Sequence, residues 1–356
     1  MGKVRFDEIA RECRETFKGS FTDMPIVGLE HIEPFDMKLK NYEVNVETTF
    51  TKQFHEGQIL FGRRRAYQHK ACVATFDGIC SGDITVIEPI EGQVYPDLLP
   101  FIVQNDDFFE HAIKGSNGAL SPRVKWEHMA NFELNLPSLA EQKILAEKLW
   151  AAYEVKQSYL KMIDATEEMV KSQFIEMFGD PIKNTMKLLS RKGEELFVFS
   201  SGKANTKSNL SNDFPYNCYG GNGITGHSNQ WLIDYPTIVI GRVGEYCGCV
   251  HKTQGKVWIT DNAIYIKEHK KNVFDDAFLF YLMTYLDFHR LADETGQPKI
   301  TQRPLLDMEY IIPSKDLQQK FISIAEQADK SGIELRKSVD AIDKVIKSFI
   351  NENLKD

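Results

Sequence analysis

No run of apolar residues in this 356-residue chain is long enough to cross a bilayer. The longest, Ala277-Phe278-Leu279-Phe280-Tyr281-Leu282-Met283-Thr284-Tyr285-Leu286, falls far short of the roughly 20 residues a spanning helix needs. It reads as part of a buried helix over Ala277 to Ala292, with Phe108 to Lys114 its shorter relative. The opening residues, Met1 to Glu15, alternate charged and apolar side chains and lack the apolar core of a secretory signal, so a cytoplasmic protein is expected. Cysteine is sparse: there are six, with no C-x-x-C pair, and only Cys247 and Cys249 lie close together. Their strand-like spacing in an apolar run reads as two small buried hydrophobes, and no zinc site is expected.

Catalytic signatures are missing as well. There is no G-x-x-x-x-G-K-[ST] loop to cradle a nucleotide, no N/D-P-P-Y/F tetrapeptide of a base methyltransferase, no H-E-x-x-H and no G-x-S-x-G. Gly221-Asn222-Gly223-Ile224-Thr225-Gly226 fits the letter of the dinucleotide fingerprint, but no buried strand precedes it and no helix pattern follows. A glycine-rich loop framed by Tyr219 and Trp231 fits a close backbone approach to another surface better. A nuclease would want carboxylates and a lysine around a metal. Asp261, Glu268 and Lys270 are the nearest candidates, although Glu268-His269-Lys270-Lys271 reads more simply as a solvated turn. These absences point to a binding protein with no cofactor of its own. The net charge of −8 argues against a general nucleic-acid coat and leaves room for a local basic patch.

What the chain does contain, it contains twice. Ile59-Leu60-Phe61-Gly62-Arg63 recurs as Ile238-Val239-Ile240-Gly241-Arg242, and Asp83-Ile84-Thr85-Val86-Ile87 as Asn262-Ala263-Ile264-Tyr265-Ile266. Leu120-Ser121-Pro122-Arg123 is matched with Ile300-Thr301-Gln302-Arg303, and Leu136-Pro137-Ser138 with its Gln142 recurs as Ile312-Pro313-Ser314 with Gln318. The order is kept at separations of 179, 179, 180 and 176 residues. A two-fold repeat predicts a pseudo-symmetric molecule whose ligand also has two ends.

Each half is turn-rich at first and then free of breakers. From Leu139 to Phe178 there is neither glycine nor proline, and Leu145, Leu149, Ala152, Tyr159, Ile163, Val170 and Met177 recur at a period near 3.5, interrupted by Lys156, Thr166 and Gln173. Gly179-Asp180-Pro181 stops the helix. After Pro313 the pattern returns in Phe321, Ala325, Ala328, Leu335, Val339, Ile342, Ile346 and Phe349, with Gly332 as the non-packing position. Two helices of about 40 residues, each about 60 Å long, need each other's apolar stripe, and the repeat makes the pair antiparallel. Leu145, Leu149, Tyr159, Ile163 and Val170 are expected to face Leu335, Val339, Ile342, Ile346 and Phe349. The turn-rich parts carry strand signals, notably Thr237-Ile238-Val239-Ile240 and Val257-Trp258-Ile259-Thr260. The fold class is therefore α+β: two mixed domains separated by a long antiparallel two-helix coiled coil.

Basic residues cluster in Arg63-Arg64-Arg65-Ala66-Tyr67-Gln68-His69-Lys70, placed as the connection of a hairpin. The set combines phosphate-seeking and base-reading groups: Arg63, Arg64, Arg65, Tyr67, His69 and Lys70. Its counterpart opens with Arg242 and is depleted of charge thereafter. Further DNA-binding candidates are Arg123 with Lys125, Lys203 with Lys207, Lys299 with Arg303, and Tyr219 and Asn222 of the glycine-rich loop.

Together these residues resemble the specificity subunit of type I restriction-modification systems, over essentially the whole chain. The stretches that carry the resemblance are Val27-Gly28-Leu29-Glu30-His31-Ile32-Glu33-Pro34, Leu136-Pro137-Ser138-Leu139-Ala140-Glu141-Gln142-Lys143, Tyr219-Gly220-Gly221-Asn222-Gly223-Ile224 and Ile259-Thr260-Asp261-Asn262-Ala263. The resemblance implies target-recognition domains at 1–137 and 181–313, a central helix at 138–180 and a C-terminal helix at 314–356. It implies that each domain reads one half of a split site on double-stranded DNA while the helices set the gap. It also implies methyltransferase subunits as partners, two in number, and restriction and translocase subunits through them. S-adenosylmethionine, ATP and Mg would sit on those partners. No base-reading residue transfers by motif, because recognition domains diverge. Two other readings stay open: a coiled-coil scaffold that never touches DNA, and a self-contained nuclease using Asp261, Glu268 and Lys270.

Overall fold

The computed structural model describes residues 2–293 and 296–354, apart from the side chain of Lys207. It divides into two compact units, residues 1–161 with 336–356, and residues 162–335. Each unit is built from strands, short helices and half of each of two long helices.

The strands of the first unit are β1 (Gly2–Arg5), β2 (Ala10–Cys13), β3 (Ile26–Val27), β4 (Lys52–Phe54), β5 (Ile59–Gly62), β6 (Ala71–Val73), β7 (Gly78–Cys80), β8 (Ile84–Pro89) and β9 (Glu133–Leu136). They form a four-stranded sheet of order β2-β8-β5-β6, a three-stranded sheet β3-β7-β4 and the pair β1-β9. The second unit has β10 (Ser190–Lys192), β11 (Phe197–Ser201), β12 (Tyr216–Gly220), β13 (Gly223–Ser228), β14 (Ile238–Gly241), β15 (Val250–Lys252), β16 (Val257–Ile259), β17 (Ala263–His269) and β18 (Glu309–Ile311). Its sheets are β11-β17-β14-β15, β13-β12-β16 and β10-β18.

The four-stranded sheets correspond strand for strand, and their central strands carry apolar runs, Ile59–Phe61 beside Val86–Ile87 in one and Ile238–Ile240 beside Ala263–Ile266 in the other. Alternate side chains of a strand point to opposite faces, so a continuous apolar run is what a sheet covered on both faces requires. Ile59 and Phe61 enter one cluster while Leu60 enters another. Ile238 and Ile240 part from Val239 in the same way. The three-stranded sheets differ. Both contain a parallel pair, β3 with β7 and β12 with β16, but the third strand joins β7 in the first unit and β12 in the second. The repeat thus keeps its frame and varies its smaller sheet.

The first long helix is Leu139–Phe178, which starts and stops where the glycine- and proline-free stretch does, and the second is Lys315–Leu354, which follows Pro313 and contains Gly332. Ser138 and Glu141 form a capping box at the start of the first, with Ser138 N–H donating to Glu141 Oε2 over 2.9 Å and Glu141 N–H donating back to Ser138 Oγ over 3.4 Å. Gly179, at φ +70°, ends it with its N–H on the carbonyl of Ile175. In the first unit Lys156 meets Asp343 at 2.7 Å, and in the second Phe178 meets Phe321 with ring centroids 5.7 Å apart. Twenty-two residues separate Lys156 from Phe178, and likewise Phe321 from Asp343, so both contacts share one antiparallel register. Leu145, Leu149, Ile163 and Val170 are buried, whereas Tyr159, Leu335, Val339, Ile342, Ile346 and Phe349 are only partly so. Other buried helix residues are Ala146, Tyr153, Ile350 and Leu354 in the first unit, and Phe174, Phe178 and Phe321 in the second. The helix ends are part of the domain cores, and in the second unit aromatic residues are among the deepest there.

Three expectations need correction. The helix predicted over 277–292 is Asp276–Thr284, followed by a 3-10 turn at Phe288–Leu291, because Asp287 adopts a left-handed conformation at φ 44°. Its relative, Asp106–Lys114, is equally long at nine residues, and Asn105 and Asp275 cap the two helices alike. Cys249 is exposed and Cys247 buried, since both lie in a turn rather than on one strand face. Glu268 and His269 belong to β17 rather than to a solvated turn, and the His269 ring is mostly buried, with Nε2 2.9 Å from Asp276.

Candidate nucleic-acid interface

In the first unit the basic octapeptide connects β5 to β6, as a hairpin should. Backbone hydrogen bonds stitch three segments together beside it. Arg63 N–H donates to the carbonyl of Asp83 over 2.9 Å, Val124 N–H to that of Arg63 over 2.9 Å, and Arg65 N–H to that of Pro122 over 2.8 Å. The short turn Ala66–Gln68 is flanked by Arg65 and His69 in left-handed conformations, at φ 55° and 52°. Neither residue is glycine, so this turn stores backbone strain, as functional loops often do.

The side chains on this frame fall into two groups. Asp83 accepts from Arg123 Nε over 2.6 Å and from Arg64 Nη1 over 3.4 Å, while Arg64 Nε donates to Ser121 Oγ over 2.5 Å. The Arg123 hydrogen bond, with both guanidinium charges, holds the Asp83 carboxyl below its usual range although partial burial opposes this. Arg63, Arg65, Tyr67 and Lys125 have no side-chain partner among the described residues, and the Nε groups of Arg63 and Arg65 are shielded from solvent without an acceptor. Arg63 and Lys125 line an open basin of about 820 Å³ with Arg14 and Lys52, facing Glu12, Glu15, Asp83 and Glu127. Acids and bases alternate there, so the basin is no uniform cationic groove. His69 and Lys70 turn inward instead. The His69 ring stacks on Phe35 and packs on Phe109, and Lys70 Nζ donates to the carbonyl of Leu29 over 2.7 Å. Both brace the hairpin.

The second unit repeats the stitching with other side chains. Arg242 N–H donates to the carbonyl of Asn262 over 2.9 Å, Ile300 N–H to that of Arg242 over 2.8 Å, and Val243 bridges Lys299 as Arg64 bridges Arg123. Asp83, Arg64 and Arg123 therefore correspond to Asn262, Val243 and Lys299. This corrects the sequence match of Arg123 with Arg303, which rested on a chance likeness of residue types. Arg303 lies on the helix Gln302–Asp307, ion-paired with Asp307 at 2.5 Å and near Glu194 at 3.9 Å. Arg242 Nη1 reaches the carbonyl of Asp261 at 3.4 Å, and its Nε, like that of Arg63, is shielded and unpartnered. Lys299 and Asn222 are exposed, and Lys203 offers only backbone contacts. The side chain of Lys207 lies outside the described residues.

The glycine-rich loop is the β12–β13 hairpin. Its close approach is to its own chain, since a Cβ on Gly241 would lie 2.6 Å from the carbonyl oxygen of Gly221. Tyr219 is a core residue rather than a DNA contact, 7% exposed and packed with Val239, Ile259 and Tyr265. Asp261 precedes β17 and Glu268 lies near its far end, about 20 Å away at strand rise, too far to share a metal. Among the described residues no three His, Cys, Asp or Glu side chains are placed to hold a metal ion.

Residues 13–158 and 190–342 match the model of the type I restriction modification DNA specificity domain, which covers most of the chain and both repeats. The chain belongs to that family. Among curated relatives, the specificity subunit of the type I restriction enzyme EcoprrI of Escherichia coli is 24% identical over 163 residues. That of EcoDI, also from Escherichia coli, is 26% identical over 144 residues. The alignments take in 45% and 39% of this chain, and the chain spans only 39% and 32% of those relatives' length. The crystal structure of the type I restriction-modification S subunit from M. genitalium matches all of this chain and 96% of its own, with a TM-score of 0.59 at 13% identity. A chain from a structure concerning complex assembly and conformational transition of the type I R-M system matches 99% of this chain and 97% of its own, with a TM-score of 0.54 at 15% identity. These likenesses establish the α+β fold with duplicated domains and long paired helices. No helix among the described residues of this specificity-domain chain is long and apolar enough to cross a membrane.

Two features of the candidate site escaped sequence reasoning. Asp83 stood only as the first residue of a strand run, yet it organises two arginines. Ser121, read as part of a repeat match, anchors Arg64. The available signal was an isolated acid between basic segments, visible once Arg64, Asp83 and Arg123 are known to converge.

Proposed function

We propose that this chain is the specificity subunit of a cytoplasmic type I restriction-modification complex. It binds double-stranded DNA, each repeat reading one half of an asymmetric bipartite site, and it brings methyltransferase subunits, two of them, to that address. Restriction and translocase subunits join through them. Chemistry on a base takes place in a pocket that receives the base out of the stack, and the partners supply that pocket with S-adenosylmethionine, ATP and Mg. This chain supplies no catalytic group.

The observation that carries the reading is the duplicated three-segment frame. In each repeat it presents an arginine, Arg63 or Arg242, with a shielded and unsatisfied Nε. Buried donors without acceptors are rare and call for a partner, and phosphate oxygens are acceptors that match guanidinium geometry. Phosphate contacts position a protein on DNA while base contacts specify sequence.

The test is selection of binders from a randomised duplex library by the full chain with its methyltransferase partner. Enrichment of two short motifs at a fixed gap is expected. Replacing Arg63 and Arg242 by alanine should weaken binding about equally for all sequences and flatten its salt dependence by about two phosphate contacts. A scaffold that never touches DNA would show neither result.

A further inference from the structure

The two repeats share a backbone frame but not the side chains on it, and this contrast separates structural from recognition roles. In the first repeat Asp83 accepts from Arg123 Nε and Nη2, at 2.6 and 3.3 Å, and from Arg64 Nη1. Ser121 takes Arg64 Nε. If this ion cluster held the fold together, the second repeat would need it too. There the same backbone hydrogen bonds form with Val243, Asn262 and Lys299 in those places. The frame stands without the cluster.

Among the described residues, the Arg123 guanidinium has its Nε edge fixed on Asp83 and its Nη1 without a partner, and Arg64, held through Nε and Nη1, keeps Nη2 without one. The side chain of Arg123 is 46% exposed and that of Arg64 39%, while Asp83 is only 19% exposed. A planar fork whose rotamer is already set loses little entropy on binding, and its spacing matches guanine O6 and N7 in the major groove. The central carboxylate also repels phosphate, so such a cluster favours a base edge over the backbone.

We propose that Arg64 and Arg123, posed by Asp83, read guanine in the half-site of the first repeat. Asp83 touches no base and is a positioning residue for specificity. The second repeat, with valine, asparagine and lysine there, reads its half-site without this device. The inference rests on the DNA-reading function proposed above.

The experiment is the same library selection with the full chain and its methyltransferase partner, comparing wild type, Asp83→Asn and Arg123→Lys, with thermal melting of each. Wild type should require guanine at one or more positions of one half-site. Asp83→Asn should melt as wild type does, because Asn262 fills that place in the second repeat. It should lower the guanine preference roughly tenfold or more, leave the other half-site's preference intact, and keep or raise affinity for random DNA. Arg123→Lys keeps the charge and loses the fork, so it should lose the same preference. Unchanged preference in both variants, a half-site pair without guanine, or an Asp83→Asn chain that fails to fold would each overturn the assignment. If wild type selects no motif in either half, the DNA-reading function itself fails, a separate outcome.

Discussion

Lys156 on the first long helix donates to Asp343 on the second across 2.7 Å, within a largely apolar seam. The lysine side chain is 19% exposed and the aspartate 42%, so the pair is partly desolvated. A polar pair in a helix seam selects one register, because sliding either helix leaves a shielded charge alone. Lys156→Glu should destabilise the chain by placing like charges together, and Asp343→Lys in the same molecule should restore most of the loss. A double-mutant cycle read by chemical denaturation is expected to give a coupling of about 0.5–1 kcal/mol. Coupling indistinguishable from zero would mean that the apolar residues alone set the register.

Gln142 and Gln318 explain the repeated proline-serine motif. Gln142 Nε2 donates to the carbonyl of Pro137 and its Oε1 accepts from Tyr95 N–H, at 2.9 and 2.8 Å. Gln318 donates to Pro313 and Val273 and accepts from Asp275 N–H, each at 2.9 Å. Both amides are buried and join the first turn of a long helix to the adjoining domain. Replacing either by leucine strands backbone groups away from water, at a cost of about 2–3 kcal/mol. Glutamate should be no better, since a carboxylate cannot donate to a carbonyl. Unfolding curves of Gln318→Leu and Gln318→Glu that overlay wild type would refute this role.

Gly332 lies within the second long helix, where a Cβ would meet no atom within 4 Å. Glycine in a helix interior carries excess backbone entropy in the unfolded chain. Gly332→Ala should therefore raise stability by about 0.5–1 kcal/mol, visible as a higher melting temperature. A lower melting temperature would show that the open space at this position has a use that a methyl group impairs.

These residues also show how far the sequence could be read. The ends of the first long helix were legible, because they depend on local chemistry: Ser138 and Glu141 at one end, Gly179 at the other. The β5–β6 hairpin was legible for the same reason. Pairing between distant segments was not. Nothing local to Asp83 tells that Arg123 arrives beside it, nor that Val124 rather than Leu120 holds the place in the first repeat that Ile300 holds in the second. His69 looked like a reader of bases because histidine chemistry allows it, but the stack between Phe35 and Phe109 depends on a loop that comes from elsewhere in the unit. Tyr219 failed likewise: an aromatic beside glycines suits an exposed loop or a core strand, and only the parallel pairing of β12 with β16 decides between them.

Asp36 supplies a pH-dependent tie between the loop after β3 and the first long helix. Its Oδ1 accepts the Tyr153 hydroxyl over 2.7 Å and its Oδ2 accepts Lys40 Nζ over 2.6 Å. Burial alone would raise the carboxyl, but the Lys40 and Tyr153 hydrogen bonds, with the Lys38 backbone N–H, together hold it below its ordinary value. A carboxyl whose folded pKa is depressed binds its proton more readily when unfolded. Its contribution to stability is therefore complete above the unfolded value of about 4, and it fades as pH falls through the folded value. Asp36→Asn should accordingly be less stable than wild type by a constant amount from about pH 8 down to about pH 5, with the gap closing below about pH 4. The comparison needs only denaturant midpoints of the two proteins across that range. A gap that persists undiminished at about pH 2 would assign the effect to packing of the loop rather than to the charge on Asp36.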